Sequence, residues 1–152
     1  INWVKLFRVN FLANINLINS IYDLKKKNKK LNKIIVFSGG GATNSFKEFP
    51  IYSVTKTAIV RMVENYSEIF FKKKLSIFAV APGAVKTKML QKVLKVTKVG
   101  TKSKMNDVIK FINFSLKINT SMFNGRLINI KDNINKISKN KNPNYLKLRR
   151  VE

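Results

Sequence analysis

The sequence predicts an α/β fold, a doubly wound parallel sheet. Two short apolar runs, each stopped by a glycine-containing break, predict strands buried inside such a sheet, and the stretches before and between them carry apolar side chains at helical spacing. In order along the chain the pattern reads helix, strand, helix, strand, which is the alternation a parallel sheet requires.

Residues 1 to about 24 place Trp3, Phe7, Leu17 and Ile21 on one helical stripe and end in "KKKNKK", cations suited to the negative end of a helix dipole. "IIVF", 34 to 37, is β-branched, continuous and halted by "SGGG", so it reads as a strand covered on both faces. From Pro50 to about Phe71 helical spacing returns, with proline at the start and "KKK" at 72 to 74 marking the exit. "LSIFAVA", 75 to 81, is the second strand and is ended by Pro82 and Gly83. Beyond it, 88 to 98 is weakly helical and basic, 105 to 118 is an amphipathic helix with Ser103 as its expected cap, and "GRLINI", 125 to 130, reads as a last strand. Residues 132–152, polar and rich in asparagine and lysine, are expected to form a mobile tail after one domain over 1–131.

Composition narrows the chemistry. With 152 residues, 45% of them hydrophobic, the chain can bury one core. It contains neither cysteine nor histidine, which excludes disulfides, thiolate nucleophiles and the commonest metal ligand and general base; no metal site is expected. No apolar run approaches the ~18 to 20 residues that span a bilayer and no secretory signal opens the chain, so a cytoplasmic, membrane-free protein is expected. Because the chain begins on Ile1 rather than methionine, a fragment of a longer protein is expected as well. The formal charge of +24 could attract nucleic acid or an acidic surface. Lysine, asparagine and isoleucine are abundant together, however, and A/T-rich codons account for that trio. The cations are also spread along the chain rather than gathered in one arm, which argues against nucleic acid as a partner.

The chemistry concentrates in "IYSVTK", 51 to 56. On a helix, Tyr52 and Lys56 are four positions apart and share a face. A phenol ordinarily titrates near pH ~10, too high for ready proton exchange near neutrality, and an adjacent ammonium favours the phenolate. So tuned, Tyr52 could protonate an oxygen as hydride arrives at carbon. In a doubly wound sheet ligands sit outside the carboxyl ends of the strands, and both "SGGGAT" and "PGAVKT" follow such ends. The three glycines 39 to 41 lack the spacing of a phosphate-binding loop and read as a tight turn beside a site.

Asn10 in the first helix, Ser38 at a strand end, Tyr52-x-x-x-Lys56 and then a strand followed by Pro82-Gly83 form an ordered set. That set resembles the short-chain dehydrogenase/reductase family over about residues 1 to 131, and "NGRLINI" is similar to the family's last strand. The resemblance implies a Rossmann-like sheet, here partial, and an enzyme acting on alcohol and carbonyl substrates with NAD or NADP. By it, Tyr52 is the general acid/base, Lys56 tunes it and binds ribose hydroxyls, Ser38 bonds the substrate oxygen, and Asn10 holds a relay water. Pro82, Gly83, Val85 and Thr87 would form the wall and polar contacts of the nicotinamide site.

The serine assignment stays open. Ser38 precedes Tyr52 by 14 residues, whereas many members use an interval one shorter, which would put Gly39 in that place; Thr43 and Ser45 are further substitutes. "KMLQKVLKVTKV", which would cap the substrate site, is basic enough to favour an anionic substrate, but the general excess of lysine explains it equally.

The family's glycine-rich cofactor turn should lie upstream of Asn10, so the chain is expected to be the C-terminal part of such an enzyme and inactive alone. A homodimer or homotetramer through the two long helices is also implied. The alternative is a non-catalytic α/β module binding nucleic acid or acidic surfaces, against which the ordered set argues.

Overall fold

The computed structural model describes residues 2–28, 30, 32–100, 102–119, 121–142 and 144–148. Ile1 and residues 149–152 of the expected tail lie outside them.

Three parallel strands form the central sheet in the order β1 (Lys33–Phe37), β2 (Ser76–Ala81), β5 (Leu127–Asn129). Helices cover both faces, as the doubly wound expectation requires. On one side α2 (Ala13–Lys27) and α3 (Pro50–Phe71) bury Ile18, Ile59, Val63 and Phe70 against Ile34, Val36, Ile77 and Ala79. On the other, α5 (Met105–Lys117) and α6 (Ile134–Lys139) bring Phe111 and Ile137 onto Phe78, Val80, Phe123 and Ile128. The alternation of Ile77 and Ala79 with Phe78 and Val80 is the two-residue period of a strand serving two cores.

Several expectations are corrected. "IIVF" is covered on both faces only short of its end: Ile34 and Val36 are buried in the first core and Ile35 packs on the second, but Phe37 is 47% exposed, and β1 is an edge strand among the described residues. The first helix is interrupted. α1 (Trp3–Phe7) passes into a π-helical turn, Arg8–Leu12, before α2 begins. A π turn takes up one extra residue and rotates everything after it, so the predicted stripe falls out of phase. Leu17 points outward and Ile18 takes the core position, while Trp3 is half exposed.

Ser103 does not cap α5. It lies in β4 (Lys102–Ser103), which pairs in parallel with β3 (Ala84–Val85); Lys104 is the N-cap, and its amide donates to Asp107 Oδ2 at 3.4 Å. The weakly helical stretch after Thr87 contracts to α4 (Lys88–Leu94).

The segment expected as a tail is packed as far as Leu148. Ile137 is 1% exposed in the second core, the Leu127 amide donates to the Leu146 carbonyl at 3.0 Å, and Leu148 packs on the first core. A domain boundary at 131/132 therefore has no physical counterpart: scattered apolar residues among the asparagines and lysines are enough to dock the segment.

One lysine shows how the excess cations can serve the fold. Lys33 Nζ donates to the carbonyls of Ser115, Leu116 and Ile118 at 3.1, 2.7 and 2.6 Å, closing the negative end of α5. Such a cation at a helix C-terminus contributes about 0.3–2 kcal/mol.

Candidate active site

The carboxyl ends of β1 and β2 lie side by side, and the Ser38 amide extends the ladder by donating to the Val80 carbonyl at 2.8 Å. The loops after the two strands thus share one edge of the sheet, as expected. Gly83 turns the chain at φ 73°, a left-handed conformation that glycine adopts without steric cost. Val85 then enters β3, and Thr87 Oγ1 accepts from the Leu90 amide at 3.2 Å as the N-cap of α4. With its oxygen accepting there, the Thr87 hydroxyl can still donate.

α3 carries Tyr52 and Lys56 on its first two turns, Pro50 occupying the position where a missing amide proton costs nothing. Lys56 is fastened twice to the end of β1. Its Nζ donates to the Phe37 carbonyl at 3.2 Å, and its own carbonyl accepts from Ser38 Oγ at 3.0 Å. The ammonium lies 5.8 Å from the centroid of the Tyr52 ring, within cation–π range.

Burial depresses the Lys56 pKa and raises that of Tyr52, because desolvation penalises the charged form of each. The direction at Tyr52 is opposite to the lowering expected from an adjacent lysine. Around this chain's own atoms the phenol is kept protonated, the state that can donate a proton.

Asn10 sits in the π-helical turn and reaches α3. Its Nδ2 donates to Thr55 Oγ1 at 3.1 Å, and Thr55 Oγ1 donates to the Tyr52 carbonyl at 2.8 Å. The Asn10 carbonyl accepts from Asn14 Nδ2 at 2.7 Å. Thr55, fully buried, is a link that the motif contained but that gave no signal of its own. Asn10 is therefore brought to the helix that carries Tyr52 and Lys56, through Thr55.

Ser38 is placed differently from expectation. It is 4% exposed, and its single hydroxyl proton goes to the Lys56 carbonyl. The next residue faces the phenol: a Cβ built at Gly39 would stand 2.5 Å from Tyr52 Oη. Phe46, also missed in the sequence, meets the Tyr52 ring edge-on with centroids 6.5 Å apart. A groove of about 770 Å³ is lined by Thr43 and Asn44 of this loop and by Val54, Thr57 and Arg61 of α3.

Among the described residues there is no cluster of metal-binding side chains and no helix long and apolar enough to cross a membrane. The candidate site is a tyrosine and a lysine on one helix face, set at the carboxyl edge of a parallel sheet.

The family model for short chain dehydrogenases matches residues 1–98, and the chain belongs to that family. It is 22% identical over 139 residues to Dehydrogenase/reductase SDR family member 4 of Rattus norvegicus, covering 83% of this chain and 48% of that protein. Among solved structures, a short chain dehydrogenase from Salmonella enterica subsp. enterica serovar Typhi str. CT18 superposes with a TM-score of 0.74 at 15% identity, covering 86% of this chain and 53% of that one. A short chain dehydrogenase from Escherichia coli CFT073 complexed with NADPH gives 0.73 at 15% identity, with coverages of 86% and 53%. A 4-hydroxyisoleucine dehydrogenase complexed with NADH and succinate gives 0.69 at 15% identity, with coverages of 84% and 56%. The chain thus spans about half the length of these proteins.

Proposed function

We propose that this chain is the catalytic portion of an NAD(P)-dependent oxidoreductase that interconverts an alcohol and a carbonyl. The observation that carries the reading is the pairing of Tyr52 and Lys56 on one face of α3 at the carboxyl edge of the sheet, with Lys56 fastened to the end of β1. The donor set suits a nicotinamide ribose: among the described residues Lys56 Nζ gives one hydrogen bond to protein, and an ammonium has three protons to donate. Val85 and Thr87 follow β2 on the same edge, and with Pro82 and Gly83 they form the wall we assign to the nicotinamide. No G-x-G-x-x-G turn occurs in the chain, so the pyrophosphate end of the cofactor is not held by that motif here.

When bound, NAD(P) supplies or accepts the hydride. Tyr52 handles the proton. In reduction, its Oη gives a proton to the carbonyl oxygen as the carbon gains hydride, producing an alcohol and a phenolate. The phenolate is then reprotonated from solvent by way of the Lys56 ammonium and the Asn10 region. In oxidation, the phenolate removes the hydroxyl proton.

Lys56→Met tests the assignment while preserving the apolar stem. In the complete natural protein it is expected to weaken NAD(P) binding and to lower turnover, each by about tenfold or more, as lost charge-assisted hydrogen bonds imply. Titration calorimetry and steady-state rates measure the two; no change in either refutes the role of Lys56.

We further place the contact of a homodimer or homotetramer on the outer faces of α2 and α3, where Leu17, Val54 and Ile69 stand exposed. Light scattering is expected to give a multiple of the subunit mass, and a monomer at micromolar concentration refutes this placement.

A further inference from the structure

Gly39 has an extended backbone, φ 172° and ψ 175°, which any residue adopts, so chain geometry does not require glycine there. Space does. A Cβ at 39 would meet Tyr52 Oη at 2.5 Å, and one at Gly41 would stand 3.0 Å from Cε1 and 3.1 Å from Cδ1 of the same ring. A Cβ at Gly40, between them, would meet nothing within 4 Å. Gly39 is extended and Gly40–Ala42 wind as one short 3-10 turn, which brings positions 39 and 41, and not 40, against the ring: glycines 39 and 41 are the floor on which the phenol lies. Phe46 stands edge-on to that ring.

We propose that Gly39 is the positioning residue for the reacting hydroxyl, and that Tyr52 Oη occupies the volume a side chain at 39 would fill. Ser38 then serves the helix rather than the substrate. Its hydroxyl proton is committed to the Lys56 carbonyl, and the residue is almost fully buried. Neither position 38 nor position 39 offers a hydroxyl to the substrate oxygen, which takes its proton and its hydrogen bond from Tyr52. This inference rests on the proposal that Tyr52 is the proton donor.

The consequence is a steric rule. A methyl group at 39 would overlap Tyr52 Oη, so the tip of the phenol must shift away from the loop. Displacement of about 1 Å in a reacting group costs on the order of 100-fold in rate. It also relieves the burial that raises the Tyr52 pKa.

The test compares Gly39→Ala, Gly40→Ala and Ser38→Ala in the complete natural protein, with turnover in both directions, cofactor affinity and thermal melting measured for each. Gly39→Ala is expected to lower kcat about 100-fold with cofactor affinity unchanged, and to move the alkaline limb of alcohol oxidation to lower pH. Gly40→Ala keeps wild-type rates. Ser38→Ala removes one of the two fastenings of Lys56, so it lowers the melting temperature and costs at most about tenfold in kcat.

Wild-type kcat and an unmoved pH limb in Gly39→Ala overturn the proposal. So does a loss of about 100-fold in Ser38→Ala at an unchanged melting temperature, which would return the substrate hydroxyl to Ser38. The second result stands even if Gly39→Ala does not fold. Failure of the underlying reading is separate: Tyr52→Phe would then retain turnover, whatever the glycine variants do.

Discussion

Tyr52→Phe is expected to lower turnover of the complete natural protein by about 100- to 10,000-fold while leaving cofactor binding near wild type. The substitution removes one oxygen atom and keeps the ring on its glycine floor. The edge-on contact with Phe46 survives, and so do the hydrogen bonds of Lys56, which run to β1 and not to the phenol. The loss should therefore fall on kcat.

The pH dependence gives the prediction its second handle. Burial raises the Tyr52 pKa, so the phenol stays protonated through neutrality. Carbonyl reduction needs that protonated form and is expected to hold level until the phenol ionises. Alcohol oxidation needs the phenolate and is expected to rise through the alkaline range. In Tyr52→Phe the rise should vanish. Near-normal turnover, or an alkaline rise that persists in the variant, refutes the acid/base role.

The parts of this architecture legible in the sequence are those whose signal is local. β2 shows as an apolar run from Ile77 to Ala81 because both of its faces meet a core, and α3 begins at Pro50 and ends at Phe71 as its pattern indicates. Tyr52 and Lys56 were legible for the same reason: four residues on a helix place two side chains on one face. What failed depends on distant partners. The inward turn of Ile18 in place of Leu17 follows from a π turn at Arg8–Leu12, where Asn10 reaches across to Thr55. β3 and β4 are two residues each, too short for any period to register. The role of Gly39 was hidden for a different reason. A residue without a side chain cannot announce what fills its space; only the position of Tyr52 Oη shows it.

The packed C-terminal segment was the largest miss, and a buried carboxylate helps to anchor it. Glu64 of α3 is 4% exposed; its Oε1 accepts from the Leu148 amide at 2.6 Å and its Oε2 from Arg61 Nη1 at 2.5 Å. Arg61 Nη2 completes the clamp by donating to the Leu148 carbonyl at 2.9 Å. The partners are 84 residues apart along the chain, so no local pattern could reveal them.

Glu64→Ala is expected to destabilise the protein by about 2–4 kcal/mol. The charge-assisted hydrogen bonds from the Leu148 amide and Arg61 are lost; the half-exposed side of Arg61 keeps the figure from the upper range of buried pairs. Glu64→Gln should cost less, since its amide oxygen can still accept from Leu148 while its nitrogen cannot accept from Arg61. Because Leu148 packs on the first core and the Leu146 carbonyl receives the Leu127 amide beside β5, the loss should begin as release of the 144–148 segment. Trypsin reads that directly, at the Lys147–Leu148 bond. Faster cleavage there in Glu64→Ala, at temperatures below its melting transition, is the expected result. Unchanged cleavage and an unchanged melting temperature would show that the apolar contacts of Tyr145, Leu146 and Leu148 hold the segment without the clamp.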